Sequence, residues 1–370
     1  MHKADNDNVV TDELTLNYHL MHPGNESSPG DPNVAFYLDG VYHLHYILRH
    51  PWRDKHSFAF IHITSPDMLY WTWQTTKLQP SFTNHGMFSG TGFITKEGQP
   101  AAIYHGQASG RNQIAVAKDK HLLNWEEPYP VEPKTTEGQD ADMNHWDPDC
   151  FLINNTYYAI SGGQNPPLIK SKDLTNWTFV GDFLQHELPD VAIGEDISCP
   201  NFFPLGDKYM LLCISHQLGC RYYIGNWNAE TEQFVPETHG RMNWKRPEQS
   251  IYNPVYRDFF APESLLTPDG RRVMWAWLAT LDEAINQKTI QFLPRELNLS
   301  KNGSLRFQPL RELESLRYAP VTLNNLEVPP PKWEDGKMIT PLLTELSYDA
   351  LEVKITIDRT EAWRKRFGFQ

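Results

Sequence analysis

Five side chains suited to catalysis stand at similar distances before five tight-turn signals. Asp31, Asp147, Glu195 and Glu263 offer carboxylates, and Ser89 holds the corresponding place in the second of the five segments. Each lies between seven and eleven residues before its turn. Two carboxylates set about 5–5.5 Å apart can act as nucleophile and acid/base on a glycosidic bond. The spacing therefore predicts a cleft in which these groups converge.

The turns belong to five hairpin signals, each made of two apolar and aromatic runs around a Gly or Asn. A tight hairpin needs a residue that accepts positive φ, and Gly and Asn do so most readily. The turn residues recur every 51 to 64 positions, whereas long helical periodicity is almost absent. These turn residues are Gly40, Gly98, Asn155, Gly206 and Gly270.

A second series, made of tryptophans, runs between the hairpins. Trp71, Trp125 and Trp177 end similar segments and are 54 and 52 residues apart. Five units of this length, each able to hold four short strands, predict an all-β chain folded as a five-bladed β-propeller. An irregular sandwich with accidental spacing is the alternative. In a propeller the first strand of each blade lines the central channel, so the candidate carboxylates would meet near the axis.

Composition excludes several classes of partner. The 370 residues carry 33 basic and 46 acidic side chains, a formal net charge of −13, which disfavours nucleic acid and anionic membrane surfaces. Apolar runs such as residues 210–214 are far too short for a membrane helix. Aromatic residues make up 12% of the chain and suit stacking on sugars, so we expect a carbohydrate partner. Oligomeric state stays open.

The remaining signals predict neither metal nor cofactor. The four cysteines show no zinc-ligand spacing and are expected to be buried thiols. His45, His62 and His145 form no recognisable metal set. The first ten residues lack an apolar segment, so we expect no signal peptide in this chain, and its compartment stays open.

The sequence also suggests four segments. We expect an N-terminal tail at residues 1–16, the propeller at 17–325 and a Pro-rich linker at 326–340. Residues 341–370 contain LEVKITIDR, which alternates like a strand and predicts the start of a C-terminal β-sandwich.

Several motifs resemble those of glycoside hydrolase family 32, the invertases, levanases and inulinases. The family's Trp-Met-Asn-Asp-Pro-Asn-Gly, Phe-Ser-Gly-Ser, Arg-Asp-Pro and Glu-Cys-Pro boxes each have a counterpart, in the family's order. In the first box Ser28-Pro29-Gly30 replaces Trp-Met-Asn, which alters the usual contacts around the fructose pocket. The matching stretches are SPGDPNV at 28–34, FSGT at 88–91, WDP at 146–148, EDISCP at 195–200, DFFAPESLLTPDGRRVMWAW from 258 and LPREL at 293–297.

The resemblance implies a five-bladed catalytic propeller followed by a β-sandwich, with retaining chemistry on a β-fructofuranosyl unit. Asp31 would be the nucleophile, Asp147 would stabilise the transition state, and Glu195 would be the acid/base. Fructose would be released from a fructan, a fructo-oligosaccharide or sucrose. An acceptor sugar that competes with water would make the enzyme a transferase.

Further substrate-binding positions follow from the same boxes. Asn33 and Ser89 would hold sugar hydroxyls, and Phe88 would pack beside the sugar. Trp146 replaces the family's Arg and exchanges a bidentate donor for an indole. Glu263 fits a pocket residue and a structural ion pair equally well.

The third box departs most from the family. Glu and Cys are adjacent in the family, but here Ser198 precedes Cys199 and Glu195 lies three positions upstream of its expected place. Asp196 shares one face of an extended strand with Ser198, whereas Glu195 does so only if a bulge intervenes. Glu has the longer reach and the higher ordinary pKa, so we assign the acid role to Glu195 and keep Asp196 as the alternative.

Two other functions remain open. Five-bladed families that act on arabinan or xylan also use three carboxylates, usually with inversion, which requires a wider carboxylate separation of about 6.5–9.5 Å. The altered boxes also fit a propeller that binds carbohydrate but has lost its chemistry.

Overall fold

The computed structural model describes residues 19–22, 28–53, 55–242, 259–279, 289–327, 329–339, 344–345 and 351–356. The chain divides into two compact units, Met1–Glu312 and Leu313–Gln370. Strands dominate the described part of the first unit. The predicted tail at 1–16 lies outside the described residues.

Five antiparallel sheets build the described part of the first unit, and each sheet is formed by strands consecutive in the chain. The fifth sheet holds an additional short strand beside its second strand. We call these sheets blades and number them in chain order. The first blade contains β1 (Pro32–Leu38), β2 (Val41–Arg49), β3 (Phe58–Ser65) and β4 (Thr72–Trp73), and the second contains β5 (Gly86–Ile94), β6 (Pro100–Gln107), β7 (Arg111–Val116) and β8 (Tyr129–Pro130). The third blade contains β9 (Asp149–Ile153), β10 (Thr156–Ile160), β11 (Pro167–Ser171) and β12 (Trp177–Asp182), the fourth contains β13 (Ser198–Leu205), β14 (Lys208–Ser215), β15 (Gly219–Asn228) and β16 (Gln233–Arg241), and the fifth contains β17 (Phe259–Leu266), β18 (Arg272–Ala279), β19 (Thr289–Gln291), β20 (Arg295–Leu299) and β21 (Leu305–Pro309). A short helix α1 (Pro80–Thr83) precedes β5, and a 3₁₀ helix (Arg311–Leu316) follows β21.

The first strands of the blades form a closed ring. Strand β1 contacts β5, β5 contacts β9, β9 contacts β13, β13 contacts β17, and β17 contacts β1. The predicted five-bladed propeller is therefore confirmed. Its apolar clusters lie mainly between neighbouring blades, where aromatic and aliphatic side chains of both pack together.

The hairpin turns follow the prediction from sequence. Gly40, Gly98, Asn155, Gly206 and Gly270 have φ values of 89°, 80°, 61°, 63° and 85°. Each connects the first and second strands of one blade. Because side chains other than Asn rarely accept this conformation, these residues mark the blade repeat directly.

The tryptophan series marks a second repeated turn. Trp125 donates its indole N–H to the carbonyl of Leu122 at 2.9 Å, and Trp177 donates to the carbonyl of Leu174 at 2.8 Å. Trp71, Trp125 and Trp177 are all buried. Trp125 and Trp177 thus close equivalent turns in successive blades, each around a buried indole.

Four of the five first strands carry a register shift near their start. The shifts lie between Asn33 and Phe36, between Met87 and Gly90, between Ser198 and Asn201, and between Phe260 and Glu263. A bulge bends the strand and redirects side chains. The bulges therefore decide which of the predicted residues reach the central cleft.

The second unit contains a small hairpin. Strands β22 (Lys332–Glu334) and β23 (Lys337–Ile339) pair within the segment expected to be a linker at 326–340, which is thus partly structured. Residues 351–356 of the predicted LEVKITIDR strand form no regular element, and most of the predicted sandwich segment at 341–370 lies outside the described residues. In the described ranges, no helix has the length and apolar character required to cross a membrane.

Candidate active site

Asp31 lies at the start of β1 and receives hydrogen bonds from two other blades. Ser89 Oγ donates to Asp31 Oδ2 at 2.5 Å, and Trp277 Nε1 donates to Asp31 Oδ1 at 2.7 Å. Burial raises the pKa of Asp31, while these hydrogen bonds oppose the rise by favouring the carboxylate. Both oxygens are therefore held in fixed positions.

Asp147 lies beside Asp31, and Cys199 contacts both carboxylates. The Cys199 backbone N–H donates to Asp147 Oδ2 at 3.2 Å, and Cys199 Sγ lies 3.5 Å from Asp147 Oδ2 and 3.8 Å from Asp31 Oδ2. Burial, reinforced by the charge of Asp31, raises the pKa of Asp147 to about 7. Two carboxyl groups in one small site disfavour simultaneous ionisation, so one of them retains its proton near neutral pH.

Asn33 connects the first two blades through hydrogen bonds. Its Nδ2 donates to the carbonyl of Asp31 at 2.7 Å, and its Oδ1 accepts the N–H of Gly90 at 3.0 Å. A Cβ on Gly90 would lie 2.1 Å from the carbonyl oxygen of Ile103, so glycine is required there. Asn33 thus positions Asp31 through the backbone, and its expected contact with a sugar hydroxyl stays a prediction.

Aromatic side chains line the same region. The rings of Phe88 and Trp146 lie 5.5 Å apart, and Trp146 also contacts His105 at 5.0 Å. Phe58 extends the row, with its ring 5.4 Å from Phe88. Phe88 and Trp146 are partly exposed and directly precede Ser89 and Asp147 in the chain, so their apolar faces border the carboxylate site.

Glu195 is engaged in a buried ion pair with two arginines. Arg241 donates to both of its oxygens, at 2.8 Å for Oε2, and Arg221 Nη1 lies 2.6 Å from Oε1. Burial would raise the pKa of Glu195, but the hydrogen bond and the positive charges of the arginines lower it overall. A general acid must hold a proton, so this geometry disfavours our assignment of the acid/base role to Glu195.

Asp196 points to a different set of groups. Its Oδ2 accepts from Ser198 Oγ at 3.0 Å and lies 2.5 Å from His216 Nδ1, while its Oδ1 accepts the His216 backbone N–H at 2.8 Å. The bulge of β13 lies beyond Ser198, so it does not bring Glu195 onto the face of Ser198. Burial would raise the pKa of Asp196, but its contacts with His216 lower it overall.

Glu263 is buried in β17. The charged side chains acting on it are those of Asp149 and Arg272, and burial raises its pKa well above the ordinary range. Asp149 in turn accepts from Thr91 Oγ1 at 2.6 Å and from the backbone N–H of Phe202 at 2.6 Å. Its two expected roles, pocket residue and structural ion pair, both stay predictions.

A family model described as the glycosyl hydrolases family 32 N-terminal domain matches residues 24–309. The chain belongs to glycoside hydrolase family 32. Since the match spans most of the propeller, it favours this family over the five-bladed families that act on arabinan or xylan.

Individual proteins agree with this assignment. A probable sucrose-6-phosphate hydrolase of Psychromonas ingrahamii is 29% identical over 344 residues, which cover 85% of this chain and 60% of that protein. A cell wall β-fructofuranosidase of Zea mays is 25% identical and covers 87% of this chain and 60% of its own length. The chain therefore spans about 60% of the length of these relatives.

A solved structure shares the fold. Fructan 1-exohydrolase IIa from Cichorium intybus superimposes with a TM-score of 0.67 at 24% identity, covering 85% of this chain and 64% of that one. This agreement supports the propeller architecture of a family 32 chain.

Three residues of this family 32 site were missed from the sequence: Cys199, Trp277 and His216. Cys199 belongs to the third box, but no spacing in the sequence indicates that it contacts both carboxylates. Trp275 and Trp277 stand two positions apart in β18, a spacing that places both side chains on one face of the strand. His216 follows β14 directly, and the pairing of Ser198 with Ile214 places it opposite Asp196.

The structure also bears on metals and thiols. Among the residues that the structure describes, no three His, Cys, Asp or Glu side chains form a group that could hold a metal ion. Cys150, Cys199, Cys213 and Cys220 are not joined by disulfides, and all except Cys199 are buried.

Proposed function

We propose that this chain carries the catalytic domain of a retaining β-fructofuranosidase. The observation that supports the proposal most strongly is the grouping of Asp31 and Asp147 around Cys199, with Asp31 oriented by Ser89 and Trp277. Such an arrangement provides one held nucleophile and one protonatable neighbour at a partly exposed site.

Asp31 is the nucleophile in this proposal. Its carboxylate attacks the anomeric carbon of the fructosyl unit, the bond to the leaving oxygen breaks, and a fructosyl-enzyme ester forms. Water then attacks the same carbon and releases fructose with retained configuration. The donors Ser89 and Trp277 hold the carboxylate in one orientation, which reduces the reorganisation needed during attack.

Asp147 complements Asp31. With Asp31 ionised, Asp147 keeps its proton up to about pH 7 and can donate a hydrogen bond to a fructosyl hydroxyl. Hydrogen bonds to sugar hydroxyls that strengthen as charge develops on the ring stabilise the transition state. This role needs no full proton transfer from Asp147.

The substrate class follows from the family and the aromatic row. The names of similar proteins include sucrose-6-phosphate hydrolase, β-fructofuranosidase and fructan 6-exohydrolase, all of which act on fructosyl bonds. Phe88 and Trp146 offer apolar faces beside Asp31 on which a further sugar ring can stack. We therefore propose a fructan or fructo-oligosaccharide, with sucrose as a shorter substrate.

Fructose release tests this function. The chain is incubated separately with sucrose, levan and inulin, and free fructose is measured over time with Asp31→Asn as the matched control. We expect release from at least one substrate by the wild-type chain and none by the variant. No release from any fructoside would contradict the proposal.

A second candidate function is carbohydrate binding without turnover. Ser198 adjoins Cys199 where the family places a Glu, so the usual proton donor is replaced by a hydroxyl. Saturable binding of inulin by calorimetry, combined with no fructose release, would favour this function over hydrolysis.

A further inference from the structure

In this chain, the family's usual proton donor to the leaving group is replaced. Breaking the bond to an unactivated sugar requires a proton on the leaving oxygen. Ser198 offers only a weakly acidic hydroxyl at the position beside Cys199, and Glu195 is bound by Arg221 and Arg241. Another group must donate the proton if the chain hydrolyses sucrose or fructans.

We propose that His216, held by Asp196, is the acid/base of this enzyme, an inference that rests on the proposed fructosidase function. Asp196 is a positioning residue in this proposal, because it acts through the imidazole. Ser198 completes the unit by donating to the same carboxylate oxygen that faces the ring.

Strand pairing brings His216 to this place. Strands β13 and β14 are antiparallel, and Ser198 at the start of β13 pairs with Ile214 near the end of β14. Continuing that register places Asp196, two residues before Ser198, opposite His216, two residues after Ile214. The two hydrogen bonds from the backbone and ring of His216 to Asp196 agree with this register.

The imidazole ring of His216 is fixed by its contacts and is also partly exposed to solvent. Asp196 Oδ2 lies 2.5 Å from Nδ1, and the ring packs edge-on against Phe260 of the fifth blade with centroids 6.0 Å apart. The His216 side chain is 32% exposed, against 16% for Asp196 and 0% for Glu195. Of these three groups, the imidazole is thus the most accessible to a leaving group.

Ring contacts link His216 to the nucleophile. His216 packs against Phe260, whose ring lies 5.5 Å from that of Trp277, the donor to Asp31. Burial raises the pKa of both Asp31 and Asp147, and the positive charge of a protonated His216 opposes that rise at both groups. These electrostatic interactions agree with the placement given by the ring contacts. A carboxylate that orients an imidazole and stabilises its charged form is a recurrent arrangement in acid/base catalysis.

The proposed steps balance without any co-reactant. As the bond from Asp31 to the anomeric carbon forms and the glycosidic bond breaks, the imidazolium of His216 transfers its proton to the leaving oxygen. In the second half, the neutral imidazole takes a proton from water while the water oxygen attacks the anomeric carbon. The ester to Asp31 then breaks, and the sum of both steps is hydrolysis.

The test compares two leaving groups. Kinetics of His216→Ala are measured on sucrose and on an aryl β-fructofuranoside whose phenolate leaves without protonation. We expect kcat/KM on sucrose to fall about 100- to 10,000-fold, and on the aryl fructoside about 10-fold or less. Azide, as a small external nucleophile, should accelerate turnover of the aryl substrate by the variant and yield fructosyl azide.

Controls separate this role from a structural one. His239→Ala removes another histidine that pairs with a carboxylate in the same blade, 3.0 Å from Asp190, and should leave both rates unchanged. His216→Gln, which preserves size and polarity, should show the same substrate split as His216→Ala with an unchanged melting temperature. Asp196→Asn should lower kcat on sucrose more than it changes KM.

The outcomes are distinguishable. A wild-type chain that cleaves both substrates, with His216 variants that keep the wild-type ratio between them, would overturn the role of His216 alone. A larger substrate split in Asp196→Asn than in His216→Ala would also overturn it, in favour of Asp196 as the acid. A wild-type chain that cleaves neither substrate would overturn the fructosidase function itself, and this inference with it.

Discussion

Trp277 in the fifth blade donates its indole N–H to Asp31 in the first blade at 2.7 Å, across 246 positions of sequence. Because β17 and β1 are neighbours in the closed ring, the last blade helps to orient the proposed nucleophile. The other oxygen of Asp31 accepts from Ser89 in the second blade. Closure of the propeller therefore contributes directly to the arrangement of the site.

Trp277→Phe tests this contact by removing the N–H while keeping an aromatic ring. A hydrogen bond to a charged group contributes about 1.5–3 kcal/mol, so we expect kcat/KM to fall about 10- to 100-fold. The donor favours the carboxylate form of Asp31, so its loss should raise the pKa of Asp31 and move the acid limb of the pH profile upward. An unchanged profile would show that the contact does not act on Asp31.

Glu195→Gln distinguishes an ion pair from an acid. The carboxylate pairs with Arg221, whose side chain is fully buried, and removing one partner of a buried pair costs about 3–5 kcal/mol. We expect a clear loss in the free energy of unfolding, measured in urea, and an unchanged ratio of kcat/KM between sucrose and an aryl fructoside. A selective loss on sucrose with little destabilisation would instead restore Glu195 as the acid.

Three stacked histidines in the first blade predict sensitivity to acid. His43 and His62 are joined by a 3.0 Å hydrogen bond, and His45 stacks on His62 with ring centroids 4.5 Å apart. Burial lowers the pKa of His43 to about 4 and of His45 to about 3, and also lowers that of His62. All three are therefore neutral in the folded chain near neutral pH.

Their stabilising effect should disappear on acidification. Below the unfolded pKa of about 6.5 the unfolded chain binds more protons, so stability falls by up to about 1.4 kcal/mol per pH unit for each histidine, until the pH reaches the folded pKa. Urea unfolding between about pH 6.5 and about pH 5 measures this slope. His45→Gln, which can still donate to the Val34 carbonyl, should reduce it by about one proton. An unchanged slope would refute the role of the stack.

Trp146→Arg examines substrate length. Trp146 packs against Phe88 and His105 and presents an apolar face, whereas Arg would supply directed hydrogen bonds to sugar hydroxyls. We expect the wild-type chain to prefer a longer fructoside to sucrose, and the variant to shift kcat/KM toward sucrose. A several-fold wild-type preference for sucrose that the variant leaves unmoved would show that Trp146 does not set specificity.

The blade repeat was predictable because it depends on the conformation of short, local turns. Gly40 and Asn155 need only their own turn to reveal a positive φ, and Trp125 and Trp177 close turns within a few residues of themselves. Asp31 and Asp147 were predicted for the same reason, because each lies a short distance before the turn of its own hairpin. Interactions between residues close in sequence therefore account for the blade repeat and for the positions of these two carboxylates.

The acid/base assignment depended on contacts that are distant in sequence. Glu195 is bound by Arg221 and Arg241, which are placed by the pairing of β15 and β16, and no spacing rule reveals such partners. Asp196 and His216 face each other only because of the register between β13 and β14. Their roles depend on strand pairing, which side-chain type and phase along one strand do not specify.

The most direct test of the account is whether a fructosyl unit becomes attached to Asp31. The full chain is mixed with an activated aryl β-fructofuranoside, quenched in acid during turnover, digested and analysed by mass spectrometry. We predict one added fructosyl unit on the peptide that contains Asp31, and none in Asp31→Asn treated identically. Fructose release with inverted configuration, or turnover that persists in Asp31→Asn, would contradict the retaining mechanism.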